Sequence, residues 1–305
     1  MKHSTVLVTL AIGDSYLQAW KTFCEPNWAR YAAAHGYDLL CIDTPFDNSE
    51  RSRQRSPAWQ KCLILGQEFA NRYERVVWVD ADILVNAALS PSITEGVPVE
   101  KVGAVQVLTT PRRELYLQAL RAYKYLDLKA FKETAQSASE LAAELLQTPQ
   151  QYYENWGLSS QSLDGVVQTG VLVLSPRYHR ELLEHVYYCY EDKGEARWHY
   201  EMRPLSYELL KANKVHWIDR RFNQSWIPYR MLHYPFLVSN QAENSFVDRV
   251  MRKLSKPFAK LTPASLMKMC ATAAFINSYF LHFAGSPADM KLVDPSVTSW
   301  TDRRL

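Results

Sequence analysis

Two aspartates separated by one residue, Asp80 and Asp82, follow directly on the apolar run 75–79 in RVVWVDADILVN. In open α/β sheets ligands bind outside the carboxyl ends of the strands, so carboxylates at that place face a binding crevice. Two like charges there repel unless a cation joins them, and paired hard oxygen ligands suit Mn²⁺ or Mg²⁺ bridging a diphosphate. The plainer reading is a strand end with two solvated acids, because so short a motif recurs by chance. His282, in LHFAG, offers an imidazole. It joins such a site only if the fold carries it there, some two hundred residues along the chain from Asp80.

These residues need a scaffold, and the sequence pattern describes one. Residues 6–12 (VLVTLAI) form a continuous β-rich run, the signature of a strand buried on both faces. A helix is expected from about residue 16 to 34, closed by Gly36, with a second strand over 39–42. A polar loop over 44–56 carries Arg51, Arg53 and Arg55. Ser56-Pro57 then gives a cap followed by proline, which predicts a helix reaching about Tyr73. Strands follow over 75–79 and 104–108. Residues 112–151, rich in Leu, Ala, Glu, Lys and Gln, read as two or three inserted helices. A strand over 171–174, a helix from Ser175-Pro176 to about Tyr190, a helix over 205–211 and a strand over 215–218 complete the pattern. Alternating strands and helices of this kind predict an α/β fold with a largely parallel sheet.

The chain has 305 residues, and at about 150 residues per domain that means two domains or one large α/β unit. With 35 basic against 32 acidic residues the net charge is +3, which gives no bulk electrostatic case for nucleic acid, so any phosphate binding is local. Five widely spaced cysteines without a CxxC pair point to a reducing compartment and away from structural zinc. The N-terminal apolar run is interrupted by Gly13-Asp14 and reads as a strand, not a signal peptide, and no stretch of 18 apolar residues predicts a membrane span. Aromatic residues make up 12%, and flat rings with polar edges suit sugar faces and base stacking as well as cores. The basic segment 249–260, with Arg249, Arg252, Lys253, Lys256 and Lys260, suits an anionic membrane surface or a solvated helix face.

In order along most of its length the chain resembles the GT-A glycosyltransferases of family 8 (glycogenin and bacterial galactosyl- and glucosyltransferases) and family 34 (galactosyl- and xylosyltransferases). VLVTLAIGDSYLQAW is similar to the first strand and loop of family 8, which puts Thr9, Ala11 and Tyr16 at a nucleotide pocket, with the Tyr16 ring on uracil. HGYDLLCID and SPAWQKCLIL resemble the family 34 stretches preceding DxD, which puts Lys61 near the diphosphate. Asp80, Ala81 and Asp82 match the DxD itself. DGVVQTGVLVLSP resembles the N-[ST]-G strand, and LHFAG resembles the HxxG motif whose histidine is the third metal ligand. The resemblance implies a GT-A fold: a Rossmann-like nucleotide-sugar-binding sheet with helices on both faces and a helical insertion. It divides into a nucleotide-sugar-binding half over 1–110, an insertion over 111–163 as acceptor wall, and a second half over 164–305.

Three positions depart from the family pattern. Gln168 stands for the asparagine before Thr169-Gly170. YEMRPLSYELL offers Glu201 as an acid but Met202 in place of a polar amide. Lys291 is the nearest substitute for a lysine after Gly285. The implied reaction transfers a hexose from a UDP-linked sugar to a glycan or lipid-linked acceptor, with Mn²⁺ or Mg²⁺ held by Asp80, Asp82 and His282. With retention, the departing phosphate deprotonates the acceptor while Asp164 and Glu201 orient donor hydroxyls or stabilise the anomeric carbon. With inversion, one of those two acids is the general base. Gln168, Gly285 and Lys291 complete the donor contacts. Tyr152, Tyr153 and Trp156, at the end of the insertion, suit a sugar face or a helix packing contact. The expected setting is cytoplasmic, peripheral on the inner membrane face. Two other readings stay open: a haloacid-dehalogenase-type phosphatase with the first Asp of DxD as nucleophile, and a nucleotide-sugar-binding protein without turnover.

Overall fold

A computed structural model describes residues 4–107, 147–160, 163–234, 237, 263–297 and 299. Among the described residues are nine strands: β1 (Thr5–Leu10), β2 (Asp38–Ile42), β3 (Arg75–Val79), β4 (Ile83–Val85), β5 (Val102–Gln106), β6 (Val167–Leu174), β7 (Val215–Trp217), β8 (Gln224–Ser225) and β9 (Phe280–His282). Six of them form a sheet in the order β2-β1-β3-β6-β5-β7. β1 runs parallel to β2 and β3, β5 runs parallel to β7, and β6 alone is reversed, antiparallel to both β3 and β5. The α/β class expected from the pattern is therefore the class observed. Five of the six residues of β1 and all of β3 are buried, as continuous apolar runs require when helices cover both faces.

Two compact units are distinguished. The first comprises Met1–Val107, Pro149–Gln224 and Ser278–His282, and the second Leu108–Thr148, Ser225–Asn277 and Phe283–Leu305. In the first, the core joins β1, β3, β5 and β6 to Trp59, Cys62, Leu63 and Leu65 on one side and Leu183, Val186 and Tyr187 of the helix Pro176–Cys189. Within the second, Trp226 of the helix Trp226–His233 donates its indole N–H to Asp289 (3.1 Å), and the backbone of Asp294 is tied to Thr272 of the helix Pro263–Ile276. Among the described residues no helix is long and apolar enough to cross a membrane. Residues 112–146 of the expected helical insertion and the basic segment 249–260 lie outside the described residues.

The first helical stretch runs from Asp14 to His35 and closes on Gly36, whose left-handed φ of 67° only glycine adopts without cost. It is not uniformly α: Trp20–Cys24 is a π turn immediately ahead of Pro26, where the missing proline N–H leaves an α-type bond unmade. The segment after Ser56-Pro57 departs further from expectation. Ser56 does cap, accepting from the Ala58 N–H, but the chain then forms two 3₁₀ segments, Pro57–Gly66 and Glu68–Arg72, broken at Gln67. All residues from Trp59 to Leu65 are buried, so no amphipathic stripe exists and packing on every side overrides the helical period. That buried segment carries Lys61.

Candidate active site

Two strand pairings build the site. The β3–β6 register, Val76 opposite Leu174 to Val79 opposite Val171, continues one step further as the Asp80 N–H donates to the Gly170 carbonyl (2.8 Å). Asp80 is thereby fixed beside Gln168-Thr169-Gly170. On its other edge β6 is irregular against β5: Ala104 faces Leu172 but Val105 faces Gln168, so three residues bulge out where they meet the aspartates. The second pairing is β4 with β9, in which Ile83 lies opposite His282. It sets the imidazole beside Asp82. The turn between β3 and β4 is held from below by the Trp28 indole N–H on the Ile83 carbonyl (2.8 Å) and the Cys24 thiol on the Ala81 carbonyl (3.4 Å).

The resulting constellation is Asp80, Asp82 and His282, with ligand atoms all within 4.8 Å of one another. His282 Nε2 is 3.2 Å from Asp82 Oδ1 and 3.9 Å from Asp80 Oδ2. The aspartates are half-buried and His282 is buried. Burial alone lowers the pKa of an imidazole and raises that of a carboxyl; each opposes the other here, so Asp82 holds His282 above its ordinary value and His282 holds Asp82 below its own.

Behind this face lies a third carboxylate, that of Glu201. Lys61 Nζ is 2.7 Å from Glu201 Oε1, 3.1 Å from Asp80 Oδ1 and 3.3 Å from the Thr169 carbonyl. Lys61 is 3% exposed and Glu201 2%. Burial opposes the lysine's charge, but the two acids override it and raise its pKa; burial lifts Glu201 against the pull of Lys61. Thr169 Oγ1 donates to Glu201 (2.9 Å) and the Trp78 indole to Asp80 (2.7 Å). Immediately before Glu201, His199 and Tyr200 have φ of 48° and 59°, a left-handed pair costing about 1–3 kcal/mol each and sustained only where contacts over-determine the backbone.

The donor chemistry fits a hard divalent cation. Three carboxylates against one ammonium leave negative charge uncompensated when the imidazole is neutral, and two carboxylates with one imidazole form a recognised oxygen–nitrogen set. Gly170 makes room: a Cβ there would stand 2.5 Å from His282 Cε1 and 2.8 Å from Nδ1.

Of the residues singled out in the sequence, Asp80, Ala81, Asp82, Lys61, Gln168, Glu201 and His282 are brought together. Lys61, expected near the diphosphate, is buried against acids. Thr9 is buried at the end of β1 and its hydroxyl has no hydrogen-bond partner among the described residues, Ala11 is buried just beyond, and Tyr16 is 56% exposed. Asp164 is exposed on the approach to β6, where its carbonyl accepts from Gln106, and its carboxylate does not join the cluster. Gly285 (φ 73°) and Lys291 belong to the second unit. Met202 packs with Tyr152, Tyr153, Val166 and Tyr207, which accounts for an apolar residue where the family pattern has an amide. Tyr153 is fully buried with its hydroxyl on the Gly165 carbonyl (3.2 Å), so it is core and presents no face to a sugar. Sequence reasoning missed Asn223, at the end of the 3₁₀ turn Arg220–Asn223, whose side chain meets both Gln168 and His282. No spacing signal announces it.

No protein-family model and no curated protein matches the chain. Among solved structures it is similar to a glycosyltransferase involved in glycosylation of the major capsid of PBCV-1, at 13% identity and a TM-score of 0.49, covering 95% of this chain and 99% of that one. It is also similar to the galactosyltransferase LgtC, solved with donor and acceptor sugar analogs, at 14% identity and a TM-score of 0.41, covering 92% and 87%. Mouse xyloside xylosyltransferase 1 follows at 10% identity and 0.39, covering 77% and 92%.

Proposed function

We propose that the chain is a metal-dependent glycosyltransferase that moves a hexose from a nucleotide sugar, UDP-linked, to a glycan or lipid-linked acceptor with retention. The observation that carries this reading is the convergence of Asp80, Asp82 and His282 at the carboxyl end of β3, where open α/β sheets bind their ligands. Those three residues would hold Mn²⁺ or Mg²⁺. A divalent cation there supplies positive charge to a diphosphate leaving group.

The chain's own residues divide the remaining work. Lys61, its ammonium already engaged, holds Asp80 and Glu201 in place from behind the crevice. Glu201 supplies negative charge behind the anomeric carbon, and Asp164 reaches donor hydroxyls from the loop entering β6. The Tyr16 ring, exposed, is available to stack on a base, while Thr9 and Ala11, both buried, would act on the nucleotide only through the end of β1 that they fix. Ala81 and Gln168 complete the donor contacts in this reading. Segment 249–260 would bring the enzyme to an anionic membrane surface bearing a lipid-linked acceptor.

A panel of sugar nucleotides scored for thermal stabilisation with Mn²⁺, followed by donor hydrolysis, tests the reading. A transferase is stabilised by one donor only when Mn²⁺ is present and hydrolyses it slowly, and Asp82→Ala loses both effects while remaining folded. Hydrolysis of phosphomonoesters instead would establish a phosphatase, and stabilisation without turnover a binding protein.

A further inference from the structure

His282 has two ring nitrogens, and only one can face the aspartates. Which of them carries the proton is decided by a chain of hydrogen bonds that starts at the backbone. The Gly170 N–H can only donate, and it lies 2.8 Å from the Gln168 side-chain oxygen Oε1, so the orientation of that amide is fixed. The same Oε1 is 2.6 Å from Asn223 Nδ2, which must therefore be the donating end of the second amide. Asn223 Oδ1 is then left as an acceptor, 2.8 Å from His282 Nδ1. An acceptor at that distance requires a proton on Nδ1. Gln168 Nε2 lies 3.4 Å from the same nitrogen, too far to compete with the Asn223 contact.

We infer that Asn223 and Gln168 are positioning residues that hold the proton of His282 on Nδ1, so that the Nε2 lone pair is presented, with Asp80 and Asp82, to a divalent cation. The inference rests on the cation-binding reading above. It also gives a physical reason for Gln168: an amide one methylene longer than asparagine spans from the Gly170 N–H to Asn223 across the β6 bulge. Without the relay, Asp82 at 3.2 Å from Nε2 would draw the proton to that nitrogen and block it as a ligand.

The experiment is a Mn²⁺ titration of the full chain, without nucleotide, comparing wild type, Asn223→Leu, Asn223→Asp and Gln168→Leu. Asn223→Leu should weaken Mn²⁺ about 10–100-fold, as loss of a partner behind a metal ligand does, and Gln168→Leu less. Asn223→Asp keeps an acceptor for Nδ1–H but loses the donor to Gln168 Oε1, and should weaken Mn²⁺ less than Asn223→Leu. Equal Mn²⁺ affinity in wild type and a folded Asn223→Leu overturns the relay alone; a wild type that binds no Mn²⁺ overturns the cation reading with it. Should Asn223→Leu fail to fold, the ring nitrogens of His282 decide on wild-type protein saturated with Mg²⁺. A nitrogen-15 NMR signature with the proton on Nδ1 supports the relay, and one with the proton on Nε2 overturns it.

Discussion

Two buried histidines of the same unit, His179 and His282, are held in opposite ways. His179 sits in the first turn of the helix Pro176–Cys189, where Nδ1 accepts from the Ser175 N–H (2.9 Å) and Nε2 donates to the Glu100 carbonyl (3.0 Å). With both nitrogens used by the backbone and burial opposing charge, its pKa is pushed down to about 4 and it serves as a neutral cap. His282 is as deeply buried, but one nitrogen meets an amide oxygen and the other two carboxylates, which raise its pKa against the same burial. Burial therefore does not distinguish a structural histidine from a functional one; the chemistry of the partners does. A neutral environment seals the first ring, and an anionic one leaves the second in need of a cation.

The largest effect expected from breaking this contrast is at Lys61, the cation that balances the acids behind His282. Lys61→Met should lower unfolding stability by roughly 3–5 kcal/mol in chemical denaturation, because it strands buried Glu201 without its partner. Adding Glu201→Gln should restore much of the loss. A single substitution that costs less than about 1 kcal/mol would mean that Lys61 does not balance these acids.

The structural histidine gives the next effect through pH. His179 titrates near 6.5 when unfolded and near 4 when folded, so the unfolded chain binds the extra proton between those values. Its contribution is complete above about pH 6.5 and is lost as pH falls toward 4, by up to about 3 kcal/mol. Denaturation curves at pH 7, 5.5 and 4.5 should show wild type losing stability faster than His179→Asn across that window. Parallel losses would show that His179 charges as easily folded as unfolded.

The smallest effect concerns Trp156, half-buried with the Arg203 guanidinium 4.9 Å from its ring centre. If its exposed part meets the acceptor, Trp156→Ala lowers transfer while donor hydrolysis and UDP affinity stay within about twofold of wild type. Equal losses of hydrolysis and transfer in a folded variant would place it on the donor side.

Much of the site was legible because strand grammar is local. An apolar run ending in Asp-Ala-Asp announced β3 and its carboxylates, and the resemblance of QTG and LHFAG, in order after it, to the N-[ST]-G and HxxG motifs of the glycosyltransferase families singled out Gln168 and His282. The burial of Lys61 was not legible, since Ser56-Pro57 reads as the start of an ordinary helix and only packing on all sides turns the segment into 3₁₀ structure. Asn223 was invisible for a different reason: its role depends on Phe222 packing against Tyr279 and Phe280, a contact across more than fifty residues that carries its amide to β9. Tyr153 misled because an aromatic ring near a crevice has the same composition whether it faces sugar or core.

The central claim is that Asp80, Asp82 and His282 form one cation site, and a Mn²⁺ titration by calorimetry at neutral pH addresses it most directly. Wild type should bind one ion, and Asp82→Asn, which keeps the side chain's size and removes its charge, should weaken binding by at least about a hundredfold with its melting temperature preserved. A wild-type protein without a Mn²⁺ isotherm, or an Asp82→Asn variant that binds as tightly as wild type, would contradict the account.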